Sequence, residues 1–134
     1  MKEMVYKKMP HMPEILDNGE IVRSHKYQYY IISYGTFPCA YVRVPENHIM
    51  YNCFRICHDQ LVSVHGGITY EEWYLFAHKP VRGHWIGWDY GHASDYIGGL
   101  INVPKIENCG KRWTTQELLD DVISVCNQLE ECVI

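Results

Sequence analysis

The C-terminal segment carries the clearest helical signal in this 134-residue chain and constrains its fold most. Thr114 is a natural N-cap, and Glu117 stands three residues later, which is the spacing of a capping box. From Leu118 to Leu129, apolar residues recur at helical spacing and form one stripe. The pattern therefore predicts a helix over Thr115–Leu129 that lies across one face of an antiparallel sheet.

Short runs of β-branched and aromatic residues, separated by turn residues, precede this helix and are typical of strands. The predicted strands are Tyr27–Ser33, Cys39–Val44, Leu61–Val64 and Trp85–Trp88. Residues 1–26 are polar, with a turn-like sequence at positions 17–19, and are expected to form an irregular arm or a weak hairpin before a core at 27–130. Because no repeat or linker divides the chain, residues 1–134 are predicted to be a single small α+β domain.

Composition excludes several classes of function. The 12 basic and 16 acidic residues give a formal net charge of −4, which argues against binding to a nucleic-acid backbone. No run approaches the roughly 20 apolar residues that a membrane span needs, and the N-terminus lacks the features of a signal peptide. We therefore expect a cytoplasmic protein without a membrane partner, whose cysteines are reduced.

The first candidate site segment is H-G-G-I-T-Y at positions 65–70, directly after a predicted strand. Gly66 and Gly67 permit positive φ angles and expose N–H groups that can hold an anion. His65 adds a group that can donate, accept, bind a metal or carry a proton near neutral pH. Taken alone, a plain Gly-Gly turn with a surface histidine is the simpler interpretation of this segment.

The second candidate segment follows the last predicted strand, where Asp89, His92 and Asp95 recur every three residues. On one helical or 3₁₀ turn this spacing places neighbouring side chains on the same side. Such a group can bind a divalent metal, share a proton in acid–base chemistry or bond ribose hydroxyls. A turn cap with a structural histidine is the alternative. Because both segments are glycine-containing strand ends, we predict that His65 converges with these three residues.

Three blocks of the chain also resemble, in order and spacing, a family of small bacteriophage and prophage proteins. The blocks are C-A-Y-V-R-V-P-E-N-H at 39–48, H-G-G-I-T-Y at 65–70 and W-I-G-W-D-Y-G-H-A-S-D at 85–95. The family carries C-G-Y-V-x-V-P-x-x-H-P, H-G-G-L-T-Y and W-F-G-F-D-x-x-H-x-G-D at these places, and the likeness covers about residues 27–130. No departure from this pattern removes an ionisable group. The resemblance implies an accessory protein made in the bacterial host cell during phage infection, with a counter-defence role by analogy.

Three functions remain open at this point. The first is a homo-oligomeric binding protein, without a resident cofactor, that sequesters a nucleotide-derived immune signal such as a cyclic dinucleotide or an ADP-ribose derivative. The second is a hydrolase of the phosphodiesterase type, with His65, His92 and Asp89 as catalytic groups. In a metal-dependent form, His65, Asp89, His92 and Asp95 would hold a divalent ion. The third is direct inhibition of a host protein by contact.

In the binding hypothesis, glycine amides face phosphate, a carboxylate takes ribose hydroxyls and aromatic rings stack on a base. The residues expected to contact the ligand are His48, His65, Gly66, Gly67, Thr69, Tyr70, Trp85, Trp88, Asp89, His92 and Asp95.

Overall fold

The computed structural model of the protein describes residues 1–6, 12–54, 61–92, 95–98 and 110–132. Within these residues the chain forms a five-stranded sheet of order β1-β2-β3-β5-β4, in which all neighbouring strands are antiparallel. The elements are β1 Glu14–Val22, β2 Lys26–Ser33, β3 Pro38–Val44, β4 Tyr70–Leu75, β5 Val81–Asp89 and α1 Thr115–Glu131. The predicted α+β class with an antiparallel sheet and a C-terminal helix is confirmed.

The start of α1 is fixed by its capping box. The Thr114 hydroxyl accepts a hydrogen bond from the Glu117 amide at 3.2 Å, and the Glu117 carboxylate accepts one from the Thr114 amide at 3.1 Å. These reciprocal bonds satisfy amides that the first helical turn leaves without partners. The apolar stripe of α1 is buried against the sheet. Its fully buried members are Leu118, Val122, Val125, Cys126 and Leu129.

The two faces of the sheet are covered differently. Because side chains alternate along a strand, Ile31 and Ile86 pack under α1, whereas Tyr41 and Trp85 belong to a second core cluster. In the described part of the chain no helix covers that second face, and aromatic side chains pack over it instead. They are Tyr30, Tyr34, Phe37, Tyr70 and Phe76. We call this the helix-free face.

The strand predicted at Leu61–Val64 is wrong. Residues 62–64 are irregular and lead into a tight turn, closed by a bond from the Gly67 amide to the Val64 carbonyl at 2.9 Å. The backbone of Ser63 pairs with a side chain rather than with a strand. The Gln128 carboxamide of α1 accepts from the Ser63 amide at 2.6 Å and donates to the Ser63 carbonyl at 2.8 Å. These bonds satisfy the polar groups that a neighbouring strand would otherwise satisfy.

The N-terminal region forms more structure than an irregular arm, because β1 pairs along its length with β2. Positions 17–19 lie inside β1 and do not form a turn, since the hairpin turns at Arg23–His25 instead. A change of register at Leu16 places that side chain in the core. The Tyr29 hydroxyl donates to the Asp17 carboxylate at 2.8 Å. β4 is a further strand that the sequence did not predict.

Candidate functional site

The four ionisable residues predicted to converge do lie together, and we call them the histidine–aspartate cluster. His65 Nε2 is 2.8 Å from Asp95 Oδ2, and His92 Nε2 is 3.4 Å from Asp89 Oδ1. The ring centroids of His65 and His92 are 5.6 Å apart. The cluster therefore consists of two histidine–carboxylate pairs side by side.

Local turns bring these side chains together. Asp89 ends β5 beside Cys39, and its carboxylate accepts a bond from the Gly91 amide at 3.0 Å, as in an Asx turn. The Asp95 amide then donates to the His92 carbonyl at 2.9 Å. Consecutive hydrogen-bonded turns therefore bring Asp89, His92 and Asp95 together. The Val64–Gly67 turn places His65 beside them.

Asp95 is the buried anchor of the cluster, with its side chain 1% exposed. It accepts hydrogen bonds from His65 Nε2, from the His92 amide at 3.0 Å and from Trp113 Nε1 at 2.8 Å. Burial alone would raise the pKa of Asp95, but these bonds outweigh it and hold the pKa below its usual value. The His65 ring also stacks on Tyr90 at 5.0 Å. Asp95 is therefore a carboxylate at neutral pH and fixes the orientation of His65.

Both histidines keep a ring nitrogen that makes no hydrogen bond to another described residue. His65 Nδ1 makes no hydrogen bond to a described residue. His92 Nε2 is buried without a hydrogen bond, because its 3.4 Å approach to Asp89 is long for one. The side chains of His65 and His92 are 23% and 36% exposed. The cluster thus retains imidazole groups that can still accept or donate a proton.

The two glycines play different roles. A Cβ on Gly66 would lie 2.0 Å from His92 Nε2, so only glycine leaves room for that ring. Both Gly66 and Gly67 have positive φ angles, of 70° and 78°, which residues with side chains rarely adopt. The Gly67 amide is already bonded to the Val64 carbonyl. It is therefore not free to hold an anion, which corrects the predicted pair of phosphate-binding amides.

A cleft across the helix-free face ends at this cluster, and we call it the aromatic cleft. Its inner lobe, of about 390 Å³, ends at Thr69 and Asp89, where the Thr69 hydroxyl donates to the carboxylate at 3.2 Å. An outer lobe of about 680 Å³ continues to His78 and Lys79. The side chains shared by both lobes are Tyr34, Tyr41 and Tyr70. Both volumes are in the range of small-molecule sites.

The tyrosine and cysteine side chains that line the cleft are neutral groups. Burial raises the pKa of Tyr34 and Tyr41, whose hydroxyls are 3.1 Å apart, and raises the pKa of Tyr70 to about 12. Burial likewise raises the pKa of the Cys39 thiol to about 12. Because the thiolate is the reactive form, Cys39 is not a nucleophile here, and the tyrosines act as neutral phenols.

Sequence reasoning found Thr69 and Tyr70 but missed the other two tyrosines of the cleft. One signal was available in Gly87 of β5. A Cβ there would lie 2.4 Å from the Tyr41 ring, so this glycine marks a place where a ring crosses the strand closely.

Three predicted ligand-binding residues do not offer their rings to the cleft, although Trp88 is among the residues that line its inner lobe. Trp85 and Trp88 are fully buried in the two core clusters, where Trp85 Nε1 donates to the Val81 carbonyl and Trp88 Nε1 donates to the Tyr90 hydroxyl. Their rings are not available for stacking on a ligand, because both faces of β5 are covered. His48 lies at the opposite end of β3, where its Nε2 donates to the Leu129 carbonyl at 2.7 Å.

A histidine–histidine–glutamate arrangement that can hold a metal ion is present away from the cluster. His25, His48 and Glu130 place ligand atoms within 4.8 Å of one another. Among the described residues no such group forms from the four predicted metal ligands, whose ligand atoms pair off instead. At His48 the Met50 amide donates to Nδ1 at 2.9 Å, which makes Nε2 the protonated nitrogen. Metal binding there requires this nitrogen to lose its proton.

Comparison of the chain with protein-family models, with curated proteins and with solved structures gives no match in any of the three. Among the described residues, no helix combines the length and the apolar character needed to cross a membrane.

Proposed function

We propose that this chain binds a small nucleotide-derived molecule in the aromatic cleft. The observation that carries the proposal is that a row of neutral tyrosine rings leads to the Asp89 carboxylate. Aromatic rings supply flat surfaces for a base, and a carboxylate accepts hydrogen bonds from the free hydroxyl or hydroxyls of a ribose. Thr69, bonded to Asp89, adds a hydroxyl at the same place.

The outer lobe adds room and positive charge. His78 and Lys79 line its rim and are exposed, so Lys79 offers an ammonium group to a phosphate. An extended ligand with more than one nucleotide unit fits both lobes better than a single nucleoside. A cyclic dinucleotide or an ADP-ribose derivative has this composition of bases, ribose hydroxyls and phosphates.

The resemblance to small phage proteins supports a role for this binding in countering bacterial immunity. In that setting a protein that holds a nucleotide signal tightly removes it from its receptor. Homo-oligomer formation and a cytoplasmic location stay predictions. Inhibition of a host protein by direct contact leaves the cleft without a role, and we favour it less for that reason.

Calorimetric titration with a panel of cyclic dinucleotides and ADP-ribose derivatives tests the proposal. Asp89→Asn keeps the size of the side chain but removes the charge, and we expect it to weaken binding about ten- to a hundredfold, as for a lost charged hydrogen bond. Asp120→Asn is the control, because Asp120 is exposed on α1 and bonded to Gln116. Failure of every panel member to bind, or equal affinity in Asp89→Asn and the wild type, contradicts the proposal.

A second pair of variants tests the stacking surface. Tyr70→Phe keeps the ring and removes the hydroxyl, which donates to the Tyr74 carbonyl. Tyr70→Leu removes the ring as well. If a base stacks here, Tyr70→Leu weakens binding about threefold to tenfold relative to Tyr70→Phe. Equal affinities of the two variants would remove Tyr70 from the binding surface.

A further inference from the structure

The histidine–aspartate cluster contains more than a binding site needs. A carboxylate that bonds one ring nitrogen of a histidine orients the ring and stabilises its protonated form. His65 has this arrangement with Asp95 at 2.8 Å, whereas His92 Nε2 lies 3.4 Å from Asp89 without a hydrogen bond. Two imidazoles 5.6 Å apart, each beside its own carboxylate, are suited to act as one base and one acid.

The nitrogens proposed for proton transfer are not engaged by other described residues. Neither His65 Nδ1 nor His92 Nδ1 makes a hydrogen bond to a described residue, and both side chains reach solvent. The Gly67 side of the turn is open, since no atom lies within 4 Å of where its Cβ would stand. The turn that carries His65 therefore leaves open space next to Gly67, into which part of a ligand can extend.

Asp89 connects this cluster to the aromatic cleft, because it ends the inner lobe and also faces His92. In a cyclic dinucleotide each ribose has one free hydroxyl and carries a phosphodiester on the neighbouring carbon, so a ribose bonded to Asp89 through that hydroxyl brings its diester to the carboxylate that lies 3.4 Å from His92 Nε2. The acid–base pair thus lies where the reacting group of the bound molecule would be.

We propose that His65 and His92 hydrolyse a phosphodiester of the molecule that the cleft binds, so this inference rests on the proposed function. His65 Nδ1 removes a proton from water while the water oxygen forms a bond to phosphorus. The bond from phosphorus to the leaving oxygen breaks, and that oxygen takes a proton from His92 Nδ1. One water and one diester give one monoester and one alcohol, and exchange of protons with solvent restores both rings. Asp95 positions His65 and does not touch the substrate.

The experiment measures cleavage of two probes, cyclic di-AMP and bis(p-nitrophenyl) phosphate, with a chelator present throughout. His65→Ala and His92→Ala are each expected to lower the cleavage rate by about 10²–10⁴, the usual contribution of a general acid or base. His25→Gln is the matched control, because His25 pairs with Glu130 at 2.7 Å but lies at the other end of the sheet. Added imidazole should restore part of the rate in His65→Ala, which a merely structural loss would not allow.

Binding and cleavage separate the two proposals. Cyclic di-AMP that is bound and recovered intact, with no cleavage of either probe, overturns this inference and leaves the proposed function standing. Cleavage of bis(p-nitrophenyl) phosphate by the wild type and not by the two alanine variants supports the inference, even if cyclic di-AMP does not bind. Cleavage at the wild-type rate by both alanine variants also overturns it.

Discussion

Four of the described histidines form two pairs that differ in how their ring nitrogens are used. His48 accepts from the Met50 amide and donates to the Leu129 carbonyl, and His84 bonds the Tyr51 carbonyl at 2.7 Å and Glu71 at 2.7 Å. Both nitrogens are engaged in each ring, and both rings are buried. These two histidines join loops to the sheet and the helix.

His65 and His92 are organised differently. Each is partly exposed, and each has a ring nitrogen with no hydrogen bond to a described residue. Buried polar groups in proteins are nearly always satisfied, and His92 Nε2 departs from this rule because it is buried and makes no hydrogen bond to a described residue. The two pairs of histidines therefore differ in hydrogen-bond saturation, and we use this difference to distinguish structural histidines from those proposed to react.

The largest effect is expected at the saturated pair of His84 and Glu71. Glu71→Ala removes one partner of a buried histidine–carboxylate pair and should lower the free energy of unfolding by about 3–5 kcal/mol. Affinity for the ligand should persist in the folded fraction. Glu20→Ala, on the exposed edge strand, is the control. Chemical denaturation measures both, and a loss for Glu71→Ala no larger than that control's would show that saturation does not mark a structural histidine.

A pH-dependent effect is expected at the C-terminal end of α1. Burial alone would raise the pKa of Glu130, but bonds from His25, Ser24 and Tyr27 overcome it and lower the pKa from 4.5 to about 2. Burial also lowers the pKa of His48 from 6.5. Both groups bind protons more weakly in the folded state than in the unfolded state. The contribution of each group to the free energy of unfolding is therefore complete above its unfolded-state pKa and declines as the pH falls below that value.

For His48 the decline begins as pH falls below 6.5, and for Glu130 it runs from 4.5 towards 2. Glu130→Gln should therefore lose about 2 kcal/mol of stability at pH 7 and show a flatter stability profile below pH 5. Thermal melts from pH 7 to pH 3 measure this difference. Parallel profiles for the variant and the wild type would contradict the assignment of the acid sensitivity to Glu130.

The parts of the fold that depend on local sequence were predictable. The capping box of Thr114 and Glu117 acts within one helical turn, so the helix was located to within two residues at its C-terminal end. Leu61–Val64 has strand-like composition, but its backbone bonds go to Gln128, 65 residues from Ser63. No local pattern contains such a contact, and the strand prediction failed for that reason.

The candidate site also has a part that local sequence predicts and a part that depends on long-range contacts. The histidine–aspartate cluster was predicted from glycines and ionisable residues that stand together in two segments, although only Asp89 lies at the end of a strand and the strand expected before His65 does not form. The aromatic cleft was not, because Tyr34, Tyr41 and Tyr70 come from different parts of the sheet and meet only when β3, β5 and β4 pair. The burial of Trp85 and Trp88 depends likewise on the covering of both faces of β5.

A smaller effect is expected at the helix cap. Thr114→Ala removes the side-chain acceptor of the Glu117 amide and should lower the free energy of unfolding by about 1 kcal/mol. Ligand affinity should not change, since the cap lies outside the cleft. Melting and titration of the same variant measure the two quantities. A large loss of affinity without a loss of stability would move the site towards the start of α1.

The smallest difference in stability is expected between Gly66→Ala and Gly67→Ala. The same two variants give the sharpest test of the histidine–aspartate cluster. Both positions have positive φ, so each substitution should cost about 1 kcal/mol of backbone strain. Only at Gly66 does the new methyl group contact His92. The His92 ring is the far end of a side chain, so it can rotate away from the methyl group with little further loss of stability. The two variants should therefore unfold at nearly the same denaturant concentration. Yet Gly66→Ala displaces His92 from Asp89 and should lose ligand cleavage, whereas Gly67→Ala should keep it. If both variants retain wild-type cleavage, the position of His92 does not matter to the reaction, and His92 is not its general acid.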